Sequence, residues 1–328
     1  MQKILNIGVL GCANIAKRSV VPAILELQDH LKLAGIASRT LDRAQEFASE
    51  FSTSAFDCYQ RLLDQPELDA VYVPLPNSLH FEWVEKALLK GLHVLVEKSL
   101  ACDYEDVKHL NSIAKEKKLA LVENFQFRFH SQLQSVLDLI SDGTIGELRC
   151  FRSSFGFPGL PEPNDIRYQK ALGGGALLDT GAYPLKIAQI IMGHDIEVKA
   201  ASLNFTQDKE VDIWGGAYLK QKNGTMFGET AFGFNHQYQC NLELWGSKGK
   251  LSTGRIFTAP PSHVPIIELE TQSAKEMISL QPDHHFKNML VYFCNLIRSG
   301  DPQKLDKEYK QNVNQARLID ESKLKANE

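Results

Sequence analysis

The sequence predicts an α/β protein in two parts: a doubly wound parallel sheet first, then an α+β domain with an open, mainly antiparallel sheet. Three observations predict it. Between Ile4 and Val122 short apolar runs alternate with longer segments of helical period. The first run leads into a small-residue turn at Gly11. After Phe125 the pattern becomes consecutive strand-like runs divided by turn signals such as Lys222-Asn223-Gly224 and Gly246-Ser247.

Taken in order, strands are expected at Ile4 to Leu10, Leu31 to Ala37, Ala70 to Val73, His93 to Val96 and Leu119 to Val122, several apolar enough to be covered on both faces. Helices fall between them near Ile15 to Leu27, Leu41 to Phe51, Leu79 to Lys90 and Tyr104 to Lys117, the second with Thr40 and Asp42 as start signals. A helix near Gln132 to Ile140 ends at Asp142-Gly143. Strands follow at Leu148 to Phe155, Val198 to Phe205, Ala217 to Lys220, Thr225 to Phe232 and Cys240 to Trp245. One helix interrupts them, Ala176 to Met192, and amphipathic segments at His285 to Ile297 and Asn312 to Lys325 close the chain. The change of period sets the expected domains at 1–123 and 124–328.

Length and composition agree with two ordinary globular domains: 328 residues, 43% hydrophobic and 23% charged. Lys and Arg number 36 against 40 Asp and Glu, a net charge of −4. No basic field exists to hold a nucleic-acid backbone or an anionic bilayer, and neither partner is expected. The six cysteines are scattered without a CxxC pair, the histidines show no HExxH spacing, and no metal is expected. No apolar run approaches the ~20 residues of a membrane span. Met1-Gln2-Lys3 runs directly into a strand without a signal-peptide pattern, so the expected location is cytoplasmic.

Gly8-Val9-Leu10-Gly11-Cys12-Ala13-Asn14-Ile15-Ala16 places Gly11, Ala13 and Ala16 in a G-x-G-x-x-G/A pattern between a strand and a helix. Small residues there let the backbone approach a pyrophosphate seated at the helix N-terminus. A tight turn without a ligand would use the same residues. Where an NAD-selecting acid is usual after the second strand, the chain has Ser38-Arg39-Thr40, with Arg43 a turn later. A hydroxyl and guanidinium groups suit a 2′-phosphate, so NADP(H) is the expected cofactor. Pro74, Leu75, Asn77 and His80, and Glu97 and Lys98, close two further predicted strands at the end where ligands bind in such sheets.

Gly173-Gly174-Gly175 suggests close backbone approach to a ligand, and Asp179 and Tyr183 stand four apart on one helical face. By spacing alone Glu97-Lys98 reads as a surface pair and Tyr183 as a core aromatic. Their sharper use is chemical: a phenol is a competent general acid once a cation such as Lys98 lowers its pKa. Arg128 and Arg167 could pair with a phosphorylated ligand, or be rim charges.

Gly11 to Ala16, Ser38-Arg39, Pro74 to His80, Glu97-Lys98 and Gly173 to Tyr183 together resemble the glucose-fructose oxidoreductase, inositol dehydrogenase and rhizopine-catabolism family, from end to end of the chain. The resemblance implies an N-terminal Rossmann domain and a nicotinamide-dependent redox step on a sugar-like carbonyl. It implies roles for Lys98, Asp179 and Tyr183 as catalytic residues, with tyrosine where many members have histidine. Glu123-Asn124-Phe125, Arg128 to Gln132, Asp165 to Gln169 and Arg255 to Pro261 further resemble nucleotide-linked hexose 3-ketoreductases. That closer resemblance implies NADPH-dependent reduction of a C3 ketone, with Asn124, Arg128, Arg167, Asp179 and Tyr183 as substrate-binding residues. Gly11, Cys12, Ala13, Asn14, Ile15, Ser38, Arg39, Arg43, Pro74, Leu75, Asn77, His80, Glu97 and Lys98 are the expected cofactor-binding residues. An aldose or dihydrodiol dehydrogenase and a cofactor-binding regulator are the alternatives. The family's usual Glu-Lys-Pro is Glu97-Lys98-Ser99 here. A homodimer or homotetramer through the second domain is expected, because an open sheet face is costly to leave wet.

Overall fold

A computed structural model describes residues 2–162, 164–207 and 210–328. It divides into two compact units, Met1–Asn124 with Phe286–Val313, and Phe125–His285 with Asn314–Glu328.

The first unit is built on a six-stranded parallel sheet in the order β3-β2-β1-β4-β5-β6. Its strands are β1 (Leu5–Leu10), β2 (Leu31–Ala37), β3 (Ala55–Phe56), β4 (Ala70–Val73), β5 (His93–Glu97) and β6 (Leu121–Asn124). Helices α1 (Val21–Glu26), α2 (Leu41–Ser49), α3 (Tyr59–Leu63), α4 (Asn77–Leu89) and α5 (Tyr104–Lys117) connect them. Ile7, Val9, Val71, Val94 and Leu95 are wholly buried, which is why these strands read as apolar runs and not as alternations. The chain runs outward from β1 to β3 and returns to β4 on the other side of β1, so the strand order reverses at the β1/β4 crevice.

Three details depart from the sequence reading. The helix expected from Ile15 opens as a π turn, Ala16–Val20, in which the Val21 N–H reaches back to the Ala16 carbonyl. Pro22 follows, and its missing N–H explains the shifted ladder. The last strand lies two residues later than expected and carries Glu123 and Asn124. β3 and α3 were not anticipated; at two and five residues they are too short to show a period.

The second unit begins with α6 (Ser131–Ser141) and holds an eight-stranded sheet in the order β14-β13-β12-β11-β7-β10-β9-β8. The elements are β7 (Leu148–Phe157), α7 (Ala182–Met192), β8 (Ile196–Phe205), β9 (Asp212–Gln221), β10 (Phe227–Phe234), β11 (Gln239–Gly246), β12 (Gly249–Gly254), β13 (Ile266–Thr271) and β14 (Lys275–Ser279). Every described pairing is antiparallel except β10 with β7, which is parallel. β12, β13 and β14 extend the sheet beyond the strands expected.

The helix before β8 also opens as a π turn, Leu177–Gly181, ahead of Pro184. It packs so closely on the sheet that a Cβ at Gly181 would lie 3.0 Å from the Phe232 ring. The other sheet face is bare: Trp214, Tyr218, Trp245, Ile266 and Met277 are all exposed. Across it Arg152 pairs with Glu229 at 2.9 Å and lies 4.2 Å over the Trp245 ring.

The chain closes with α8 (His285–Ser299) and α9 (Pro302–Lys325). The expected boundary at residue 123 is crossed here, because Phe286–Val313 belongs to the first unit. Met289, Leu290, Phe293 and Cys294 on α8 are wholly buried, each large side chain worth about 1.5–3 kcal/mol of transfer free energy. On α9 the Tyr309 hydroxyl meets the Ala114 and Leu119 carbonyls, and the Asn312 amide donates to Asn111 and to the Leu121 carbonyl. α9 starts ten residues before the expected Asn312, with Pro302 as its first residue and Asp301 Oδ1 accepting the Gln303 N–H.

Candidate active site

At the carboxyl end of β1, Gly11 has φ +118°, and a Cβ there would lie 2.9 Å from Leu75 Cδ2. Only glycine suits that backbone and that space. The Gly11 N–H donates to the Ala37 carbonyl at the end of β2, joining the two strand ends. Cys12, Ala13 and Ile15 are partly exposed and Asn14 exposed, a run of backbone open to a ligand.

Ser38 is buried, while Arg39 and Arg43 are exposed. Arg43 donates to the Cys12 carbonyl at 3.5 Å, tying this arginine to the glycine turn. Burial pushes the Cys12 thiol up, against the opposing pull of the Ser38 hydroxyl and the Arg43 charge. Neither Arg39 nor Arg43 meets a carboxylate among the described residues. The set fits a dinucleotide with an extra phosphate: a turn without room for a Cβ, and two cations at the end of β2.

Pro74 and Leu75 are buried and Asn77, in the first turn of α4, is partly exposed. His80, expected among the cofactor-binding residues, is wholly buried, which is a correction. Its Nδ1 stands 2.7 Å from the Ser99 carbonyl and its Nε2 2.8 Å from the Leu75 carbonyl. Both ring nitrogens face the backbone of the two strand-end loops, so His80 ties these loops together. Burial pushes its pKa down to about 4, while the two carbonyls pull the other way.

Glu97 Oε1 accepts the Tyr72 hydroxyl and the Asn124 amide, each at 2.6 Å. Burial pushes this carboxyl up, and these two donors and the Lys98 charge oppose the rise. Lys98 follows, partly exposed, and its peptide to Ser99 is cis. Asn124, expected to bind substrate, is 1% exposed with its amide directed at Glu97, so the structure makes it a support for that carboxylate.

In the second unit the two π-turn and α7 residues come into register with a loop. Tyr183 is 8% exposed, its ring ringed by Phe125, Phe127, Phe155 and Phe257 at 5.4, 6.0, 5.0 and 5.4 Å. Asp179 Oδ2 accepts the Arg167 Nε–H at 2.7 Å, and Arg167 also bonds Asp165 at 3.3 Å. The Asp179 carboxylate beside it, more than burial opposes, holds the guanidinium charged above its usual range. Arg167, expected to pair with a ligand phosphate, anchors Asp179 through its Nε–H while its side chain stays 38% exposed. Arg128 sits in the 3₁₀ turn Gln126–Phe129, 5.1 Å from the Phe129 ring.

Gly174 and Gly175 face the chain's own atoms. A Cβ at Gly174 would lie 2.5 Å from the Arg167 carbonyl oxygen, and one at Gly175, φ +113°, 2.4 Å from Asp212 Oδ1. They let the Arg167 loop and Asp212 close on the π turn, where Asp212 accepts the Leu177 N–H at 2.6 Å. Tyr72 and Asp212 escaped the sequence reading, and Asp165 entered it only as part of a motif. A buried tyrosine hydroxyl in an all-apolar strand was the one available signal, for Tyr72 alone. Among the described residues no group of three or more His, Cys, Asp or Glu side chains is placed to hold a metal, and no helix is long and apolar enough to cross a membrane.

The Rossmann sheet with its glycine turn, and the second unit with its enclosed tyrosine and anchored aspartate, define a dinucleotide-dependent oxidoreductase. Residues 5–125 match the model of an oxidoreductase family with an NAD-binding Rossmann fold, and residues 133–252 match the GFO/IDH/MocA C-terminal domain. The chain belongs to this GFO/IDH/MocA oxidoreductase family. It is 41% identical over 316 residues, 96% of this chain and 95% of the relative, to a dTDP-3,4-didehydro-2,6-dideoxy-α-D-glucose 3-reductase of Streptomyces antibioticus. An enzyme of the same name from Actinomadura kijaniata is 39% identical over 96% of this chain and 94% of its own. A solved 3-ketoreductase from Actinomadura kijaniata, in complex with NADP and TDP-benzene, superposes with a TM-score of 0.92 at 38% identity, covering 98% of each chain.

Proposed function

We propose that this chain is an NADPH-dependent ketoreductase that reduces the C3 ketone of a dTDP-linked keto-deoxyhexose to the alcohol. The observation that carries the reading is its 41% identity, across nearly the whole chain, to a reductase of such a sugar. Ser38, Arg39 and Arg43, with no acid at the end of β2, support NADPH over NADH. Solved variants of the similar 3-ketoreductase replace a lysine and a tyrosine, the residue types of Lys98 and Tyr183.

When bound, the nicotinamide supplies the hydride to the carbonyl carbon. Tyr183 donates its phenolic proton to the oxygen, so that ketone plus hydride plus proton gives the secondary alcohol. Lys98 holds that oxygen as charge develops and eases loss of the tyrosine proton. Asp179, fixed by Arg167, accepts hydrogen bonds from the sugar hydroxyls and orients the ring. The aromatic rings around Tyr183 keep water from the proton transfer. None of the six cysteines forms a disulfide, which suits a reducing cytoplasm. The bare face of the eight-stranded sheet, with Trp214, Tyr218 and Trp245 exposed, suits a homo-oligomeric contact.

The test is NADPH consumption, with NADH in parallel, on a dTDP-linked 3-keto-6-deoxyhexose made in the same tube by its upstream dehydratase. Rapid loss of NADPH with little loss of NADH is expected. No turnover with either cofactor, together with NADP⁺ reduction by a free aldose, would replace the reading with an aldose dehydrogenase.

A further inference from the structure

The first unit holds a polar cluster that the proposed reaction does not itself use. Tyr72 is wholly buried in the otherwise apolar strand Ala70–Val73, and a phenol so placed needs a hydrogen-bond partner. The parallel register supplies one. Tyr72 stands beside Leu95 on β5, and Glu97 beside Asn124 on β6, so the two-residue period brings Tyr72, Glu97 and Asn124 to one face of the sheet. The Tyr72 hydroxyl and the Asn124 amide then donate to the same atom, Glu97 Oε1, each at 2.6 Å.

A carboxylate only accepts, whereas a protonated carboxyl also has a proton to place. Asn124 shows which form the fold holds. Its Oδ1 is buried with no partner among the described residues, while its amide is spent on Glu97. A neutral carboxyl would have offered that oxygen a donor; an ionised one needs the amide instead. Burial pushes the Glu97 carboxyl up, and Tyr72, Asn124, the Lys98 charge and the Lys98 backbone N–H oppose the rise, in that order of strength. The titratable groups acting on Glu97 are thus Tyr72 from β4 and Lys98 at its own strand end, with the neutral Asn124 from β6. On the reading of Lys98 as the cation that holds the reacting oxygen, on which this inference rests, we propose that Tyr72 is a positioning residue: its hydroxyl fixes Glu97 as a carboxylate at the end of β5, and that carboxylate holds Lys98 in place. The charge of Glu97 attracts the ammonium, and its oxygens attract the N–H at the base of the same side chain. A displacement of about 1 Å in a group acting on the transition state costs up to about 10²-fold in rate, so a hydroxyl that touches neither substrate nor cofactor can still govern kcat.

The experiment uses the full chain and two variants, Tyr72→Phe, which keeps the ring in the core, and Glu97→Gln, which removes the charge. Rates are measured against pH with NADPH and the dTDP-linked ketosugar, and NADPH affinity is read from its fluorescence. The protonated Glu97 carboxyl is followed by its infrared carbonyl band, identified by its loss in Glu97→Gln. Losing a hydrogen bond to a charged group is expected to change the ionisation constant about 10-fold or more. Tyr72→Phe should therefore move both the infrared titration and the acid limb of kcat up by about one pH unit or more. Its kcat should recover toward the parent value at alkaline pH, with KM and NADPH affinity little changed. Glu97→Gln should lose kcat at every pH without recovery. An acid limb left where the parent has it overturns the inference even if the rate falls, because a purely structural role lowers the rate by one factor at every pH. Parent-like kcat in Glu97→Gln also overturns it. If the parent consumes no NADPH, the ketoreductase reading fails and the infrared titration decides alone: the same carboxyl midpoint in the parent and in Tyr72→Phe overturns the hold on Glu97.

Discussion

Arg39 and Arg43, at the carboxyl end of β2, are exposed and have no carboxylate partner among the described residues, whereas Arg167 in the second unit is fastened to Asp179 at 2.7 Å and to Asp165 at 3.3 Å. In sequence the three looked alike, each a basic residue beside motif residues. The difference is in what surrounds them. An arginine with two carboxylates is part of the scaffold, and its effect on a ligand passes through the aspartate it orients. An arginine without one is a standing site for an anion. The glycines repeat the contrast: Gly11 opens the backbone at a strand end, while Gly174 and Gly175 admit the chain's own Arg167 loop and Asp212.

The largest effect is expected where neither kind of arginine acts directly. Tyr183→Phe keeps the aromatic packing and removes the proton, and should lower kcat by roughly 10²-fold or more. Lys98→Met should cost a similar factor. In the proposed mechanism both act on one oxygen, and on that reading the double variant should lose much less than the product of the two, which a four-enzyme rate comparison reads directly. Full additivity would separate the roles.

Next come the unpartnered cations. Arg39→Ala should raise KM for NADPH about 10-fold while leaving KM for NADH nearly unchanged, because only the former carries the extra phosphate. Equal losses with both cofactors would mean that Arg39 supports the fold and reads no phosphate.

Arg167→Gln probes the fastened arginine. Its side chain is 38% exposed, so solvent screens the pair, and the loss in stability should stay near 1 kcal/mol, a few degrees or less in Tm. The activity should fall more than that stability change accounts for, as Asp179 loses its orientation. A variant with unchanged kcat/KM would make the pair purely structural.

The smallest effect compares the units through their buried histidines. His93 Nδ1 accepts the Ala120 N–H, and burial pushes its pKa down to about 4; in the second unit burial pushes His285 down to about 3. Both lie below the ordinary value of about 6.5. The unfolded chain therefore binds protons that the folded chain does not, and stability is complete above pH ~6.5 and falls as pH drops toward 4. His93→Asn should flatten the decline in Tm between those values in part, leaving a remainder that His80 and His285 share. A Tm independent of pH there would remove all three groups from the balance.

Much of the fold was legible, and the failures share a cause. Strands buried on both faces are continuous apolar runs, and β2 and β4 lie where expected, residue for residue. β14 was missed because none of its residues is buried; it exists by pairing with β13, not by its own pattern. The start of α9 was misplaced because the ten residues before Asn312 bury only Leu305 and Tyr309 among apolar side chains, beside Glu308 and Gln311, which look solvent-facing until their surroundings are known. In the site, Gly11 could be named from its motif, while Tyr183 and Asp179 were named through the family resemblance, since spacing alone makes Tyr183 a core aromatic. That His80 faces two carbonyls, and that Asn124 serves Glu97, could not.

The local chain by itself determined where most of the sheet strands of the first unit lie, the need for glycine at position 11 and the residue types available for catalysis, because these depend on neighbours a few positions away. Tertiary structure alone decided which arginine is bound and which is free, which histidine is sealed from ligand, and that residues 286–313 complete the first unit. Each of these depends on a partner far off in sequence, and the strength of a charge or hydrogen bond is set by the company that folding brings to it.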